Sequence, residues 1–371
     1  MNRLVGVKNY GFEWTTIHGL DEEAAADRLV AHGVDWVVVQ NLIDPLPASA
    51  VTQAPPPTSY EDRRFREALH KRGLRVFEAT AVFFQPKLYA ARPDLRPVDA
   101  RGQTMEPFGW YVGLCPSSPA CLAERAALVE EVVATLASDG VFLSFIRFPA
   151  FWELWMPETR REEISEYCFC ERCTSRFQAE TGQWLPDGPV SLRASLLQSE
   201  LRGAWTRWKC ELIADAVATF RAAAQRARPG TELMVNGFGF GRDDFGNAVE
   251  EVLGQDVEIL SRHADHFDLM FYQQILRREP APWITRVTSE VRGHTERTLL
   301  GCVQAKAGYL DLLYAAGRRA PAVPPQEFEG ALRAIAESPA DGVLVYSWKD
   351  VLEDEAAGGR MVRALRAFKE T

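Results

Sequence analysis

Eight short apolar segments, rich in β-branched residues, recur along the 371-residue chain, and each is followed by a longer stretch with helical spacing. Consecutive parallel strands need a long crossover and a helix supplies it, so this alternation predicts parallel strands covered by helices. Strands are expected at Leu4 to Lys8, Asp35 to Gln40, Leu74 to Thr80, Gly140 to Phe148, Glu232 to Asn236, Phe267 to Tyr272, Thr298 to Gln304 and Gly342 to Trp348. Asp21 reads as the N-cap of the first helix and Gly33 as its stop, and Phe65, Ala68 and Leu69 share one face of the helix that closes at Gly73. The pattern predicts a (β/α)8 TIM barrel as a single domain over 1–371, and the usual ~250 residues of that fold leave ample chain for loops. An open doubly wound sheet is the alternative, but no glycine-rich phosphate loop follows the first strand.

A formal charge of −9 argues against a nucleic-acid partner, which needs a basic surface to displace counterions. The paired arginines Arg277 and Arg278, and Arg318 and Arg319, read as solvated loop or helix ends. No run reaches the ~18 apolar residues of a membrane span, and the opening MNRLVGVKNY has no signal-peptide pattern. A cytoplasmic protein with no membrane partner is expected, and the composition is compatible with a homo-oligomer.

In a barrel of this kind the reacting groups lie at the C-terminal ends of the strands. Those ends carry Lys8, Asn41, Glu78, Arg147, Asn236, Tyr272, Gln273, Gln304, Lys306, Trp348 and Asp350. Amides, charges and aromatics around one rim suit a ligand rich in hydroxyl groups, so a carbohydrate is the expected partner. A single strand-end amide serves equally well to hold a loop backbone. Glu78 stands out as a carboxylate inside an apolar strand, where burial is costly without a partner or a function; a structural pair with Lys8 or Arg147 is the competing reading. Glu153 lies in PAFWELW beside Phe151, Trp152 and Trp155, and aromatics that exclude water raise a carboxyl's pKa toward that of a general acid.

The excursion after the fourth strand, 149–204, reads as an insertion, and it places Cys168, Cys170 and Cys173 within six positions. Thiols this close are either disulfide-bonded or shared by a soft metal, and Cys115 in GLCPSSPAC is the natural fourth donor. Seven cysteines leave one over if all pair, which fits a metal cluster better than a disulfide framework.

Cys115-Pro-Ser-Ser-Pro, then a helix and a strand, then Cys168-Phe-Cys170-Glu-Arg-Cys173 with Phe177 and Gly182 downstream, resembles glycoside hydrolase family 42, the β-galactosidases, and related barrel hydrolases. The likeness is close over Leu114 to Gly182 and elsewhere rests on the barrel pattern. It implies a glycosidase with a structural zinc ion held by Cys115, Cys168, Cys170 and Cys173, away from the chemistry. The family's Asn-Glu pair at the end of strand four is replaced here by Ser144-Phe145-Ile146-Arg147, and its strand-seven nucleophile by Gln304-Ala305-Lys306. The catalytic pair therefore does not carry over.

The resulting expectation is a glycoside hydrolase acting through two carboxyl groups, Glu153 and Glu78, with Asp350 in reserve. Trp152 and Trp348 would face the sugar, and Lys8, Asn41, Arg147, Asn236, Tyr272, Gln273, Gln304 and Lys306 would bind its hydroxyls or a carboxylate. A non-catalytic carbohydrate-binding protein on the same scaffold, or a barrel lyase or isomerase, is the alternative.

Overall fold

The computed structural model describes residues 3–40 and 62–371. Asn41 lies outside them. Eight parallel strands close into a barrel: β1 (Leu4–Asn9), β2 (Trp36–Gln40), β3 (Arg75–Ala81), β4 (Gly140–Ser144), β5 (Glu232–Phe238), β6 (His266–Phe271), β7 (Thr298–Gln304) and β8 (Gly342–Tyr346). Each strand pairs with the next in sequence, and β8 returns to β1 with Lys8 opposite Tyr346. The cysteine segment follows β4, as the sequence pattern implied.

The helices begin and end where the local chemistry dictates. Asp21 accepts a hydrogen bond from the Ala24 amide at 2.7 Å and opens the helix Glu22–Ala31. Beyond that helix Gly33 takes φ +83, a left-handed turn that costs a glycine little. The helix Asp62–Lys71 buries Phe65, Ala68 and Leu69 against the barrel wall, and Arg66 with them. The barrel's N-terminal end is closed by packed rings of Trp36, Phe77 and His266, with Glu232 bonded to both Arg75 and His266. Gly140 is required there, since a Cβ would come within 2.4 Å of the Phe77 ring.

Two strands are shorter than the sequence suggests, for local reasons. β4 stops at Ser144 because Phe145 adopts φ +53, outside the extended region. β8 stops at Tyr346 because Ser347 and Asp350 form a capping box that starts the helix Trp348–Ala356. Gly358 and Gly359, at φ +127 and +66, then separate that helix from the closing helix Arg360–Lys369.

Candidate functional site

Strand alternation decides which side chains reach the barrel interior. At the C-terminal mouth Lys8 of β1, Ala79 of β3, Ser144 of β4, Asn236 of β5, Met270 of β6 and Tyr346 of β8 line a cavity of about 110 Å³. Its walls are completed by Trp110, Arg147, Trp152, Glu153, Tyr272 and Tyr309.

Glu153 is the acidic group of this wall. It sits in the one-turn helix Trp152–Leu154, 5% exposed, and its Oε2 has no hydrogen-bond partner. Burial pushes its carboxyl up to about 7, an effect that Arg147, Arg319 and the Tyr309 hydroxyl only partly offset. The turn is pinned from behind by Arg319, which donates to the carbonyls of Glu153, Ile275, Tyr309 and Tyr314. Arg319 is thus buried, not the solvated loop arginine its pairing with the exposed Arg318 suggests.

Lys8 forms the floor. Its Nζ lies 2.7 Å from Asp268 Oδ2 and 3.4 Å from the Tyr272 hydroxyl, over the Phe142 ring. Burial disfavours the ammonium, but Asp268 together with the neighbouring Cys302 and Tyr10 outweighs it and holds the lysine pKa above its ordinary value. Asn236 donates to the same Asp268 oxygen at 2.8 Å. Around them Tyr272 stacks on Tyr346 with centroids 5.2 Å apart, and Trp152 packs on Tyr272 at 5.8 Å. Burial pushes Tyr346 up to about 12, and raises Tyr10 and Tyr272 as well, so these phenols stay neutral and able to hydrogen-bond.

Several expected site residues are placed elsewhere. Glu78, one position before the inward-facing Ala79, points outward to the helix layer, because neighbouring strand residues face opposite sides. There Arg66 grips both carboxylate oxygens, at 2.9 and 2.7 Å, and Ser138 donates a further bond. Its proposed pairing with Glu153 is therefore corrected: Glu78 is a structural anion, with Arg66 as partner where Lys8 or Arg147 was considered. Asp350 accepts from the Ser347 amide and hydroxyl at 3.1 and 2.8 Å, a helix cap and not a reserve acid. Trp348 is fully buried on the outer side, with Nε1 donating to His32 Nδ1, so it is no sugar platform.

The amides of the β7 end likewise serve the backbone. Gln304 donates to Gln274 and to the Lys306 carbonyl and accepts from the Ile275 amide, and Gln273 donates weakly to the Gln304 carbonyl. Lys306 is exposed and paired with Glu353 at 2.5 Å. None of these three lines the cavity. Lys8, Arg147, Trp152, Asn236, Tyr272 and Glu153 do come together. Asp268, Tyr10, Tyr309, Tyr346 and Arg319 join them unforeseen; for Asp268 the signal was present, a carboxylate inside the apolar strand HFDLMF.

The four cysteine sulfurs converge to within 4.8 Å of one another, with Cys115 Sγ 3.4 Å from Cys173 and 3.7 Å from Cys170. All seven cysteines of the chain are free thiols. Four sulfurs in this arrangement can hold one metal ion, and they sit apart from the residues that line the cavity.

No family model matches the sequence, and no curated protein does. Solved structures share the fold. The glycoside hydrolase domain of PgaB (BpsB) from Bordetella bronchiseptica superposes with a TM-score of 0.69 at 15% identity, over 99% of this chain and 98% of that one. The family 42 β-galactosidase Gan42B from G. stearothermophilus gives 0.67 at 13% identity, over 99% and 56%. The β-galactosidase of the haloarchaeon Halorubrum lacusprofundi gives 0.65 at 16%, over 99% and 57%. The chain thus spans nearly all of the PgaB domain and little more than half of these two β-galactosidases. It has a glycoside hydrolase-like TIM barrel.

Proposed function

We propose that the protein is a glycoside hydrolase in which Glu153 protonates the departing glycosidic oxygen at the C-terminal mouth of the barrel. The observation that carries this reading is the Glu153 carboxyl itself, buried in a wall of tyrosines and tryptophans with one oxygen unpartnered and a pKa raised to about 7. Such a group is protonated near neutrality and aimed at a space of sugar-like character. Trp152 and Trp110 offer flat apolar surface, while Asn236, Lys8 and the phenols offer hydrogen bonds to hydroxyls. Asp268 acts through Lys8 and Asn236, fixing both toward the cavity.

Two-carboxylate hydrolysis requires a second acid, and among the described residues Glu153 is the only Asp or Glu that lines the cavity. That observation favours, as a second reading, a protein that binds a carbohydrate without cleaving it. Release of p-nitrophenol from a panel of aryl glycosides separates the two. Turnover by the wild type that is lost in Glu153→Gln supports hydrolysis, whereas sugar binding with no turnover supports the binding protein.

The cysteine cluster is proposed as a structural zinc site. Zn–S bonds of ~2.3 Å around a tetrahedron put sulfurs ~3.8 Å apart, near the separations observed. Cys115, Cys168, Cys170 and Cys173 would tie the loop before the helix Pro119–Leu136 to the start of the helix Glu171–Thr181. With four thiolates no position is left for a reacting water, so the ion's contribution is to folding.

A further inference from the structure

Three side chains of the cavity wall can carry charge at neutral pH, setting the phenols aside: Lys8, Arg147 and Glu153. Lys8 is matched by Asp268 at 2.7 Å. Arg147 has no such match. It is 4% exposed, and among the described residues it makes no ion pair; its single hydrogen bond is a long one, 3.4 Å from Nη2 to the Ala150 carbonyl, and its Nε is unpartnered. Glu153 feels its charge but makes no ion pair with it, and a buried cation that no acid grips is costly, so proteins keep one only where something else offsets the cost.

Aromatic rings offset part of it. The guanidinium carbon lies 4.9 Å from the Phe145 centroid, 5.2 Å from Phe238 and 5.8 Å from Tyr111. Ring contacts supply no hydrogen-bond acceptor in the guanidinium plane, and at its N–H edge Nε is without a partner. That edge is a planar fork of donors, and its geometric complement is a planar carboxylate held by two parallel hydrogen bonds. The backbone is shaped to present it: Phe145, two residues earlier, turns the chain at φ +53 and ends the strand, so that Arg147 enters the cavity from a loop.

We infer that the sugar bound in this cavity bears a carboxylate, as a hexuronic acid does, and that Arg147 is the residue that receives it. The inference rests on the reading of the cavity as a sugar site and adds its substrate class. Lys306, which the strand-end pattern grouped with these cations, lies outside and is paired with Glu353, so the selection falls to Arg147.

Calorimetric titration of the full chain tests it with methyl glycosides, in both anomers, of glucuronic, galacturonic and mannuronic acid, their neutral hexose counterparts, and glucose 6-phosphate. Tighter binding of one uronide than of its neutral counterpart by at least about tenfold is expected, since losing one partner of a desolvated charge pair is expensive. Arg147→Gln should erase that gap, and Arg147→Lys should restore part of it; circular dichroism verifies that each variant is folded, and the wild-type preference stands on its own. Equal binding of acid and neutral sugars, or a gap that survives in folded Arg147→Gln, overturns the inference. Tighter binding of the phosphate ester overturns it in favour of a phosphoryl group. Hydrolysis of neutral aryl glycosides without preference for uronides overturns it while leaving the hydrolase standing. Failure of every sugar to bind removes both.

Discussion

Lys8 of β1 and Asp268 of β6 meet inside the barrel at 2.7 Å, both essentially without solvent contact. An ion pair so placed is weak as a source of net stability but severe when broken, because the survivor is left charged in a dry site. Asp268→Ala should therefore lower unfolding stability by about 3–5 kcal/mol. Adding Lys8→Met to that variant should return much of the loss. Urea denaturation of the two proteins checks both statements, and a double variant as unstable as the single would show that the pair is not the cause.

Glu153 predicts a pH dependence with a definite sign. Its folded pKa is raised above the ordinary carboxyl value of 4.5, to about 7, so the native state holds a proton that the unfolded state has released. Its stability contribution is complete below about 4.5 and is lost as pH rises through about 7. Glu153→Gln removes this term, so relative to wild type it should gain about 3 kcal/mol between pH 4.5 and 8. Thermal melts of the two proteins across that range report it. Turnover by the wild type, where Glu153 acts as the acid, should decline on the alkaline side of about 7.

Glu78 should matter to stability and not to chemistry. Its carboxylate is gripped by Arg66 and Ser138 on the outer face of β3. Glu78→Ala takes this carboxylate away from the buried Arg66 guanidinium and should cost about 3–5 kcal/mol. The fraction that still folds should turn over substrate with unchanged kcat. A folded Glu78 variant that has lost its chemistry would return this residue to the site.

Purified protein should contain about one zinc ion per chain by elemental analysis, and Cys170→Ser or a strong chelator should remove it. Melting temperature should fall on removal, while kcat of protein that remains folded should be unaffected. Metal content unchanged by Cys170→Ser would refute the four-cysteine assignment.

The barrel was legible because periodicity repeats over many residues and any one of them can be misread without loss. β7 falls where the pattern puts it, Thr298 to Gln304. The cysteine cluster was legible for a related reason, three of its four sulfurs being neighbours in sequence. The site was harder, since it turns on single positions. Glu78 and Ala79 differ by one residue and by the whole thickness of the barrel wall, and nothing in the sequence reveals which faces in. Strand β6 was searched at its end, Tyr272, while Asp268 acts from within it. Arg319 was hidden beside Arg318, because two adjacent arginines look alike until the fold buries one of them.

The four carbonyls that Arg319 collects belong to three different loops, those following β4, β6 and β7. A single planar fork with five donors can serve such a set; a lysine, with a point charge and three, would not. The mouth of the barrel is in this sense keystoned. The turn bearing Glu153 cannot shift without disturbing the segment from Tyr309 to Arg319, so the acid and the stretch of wall beside it move as one piece.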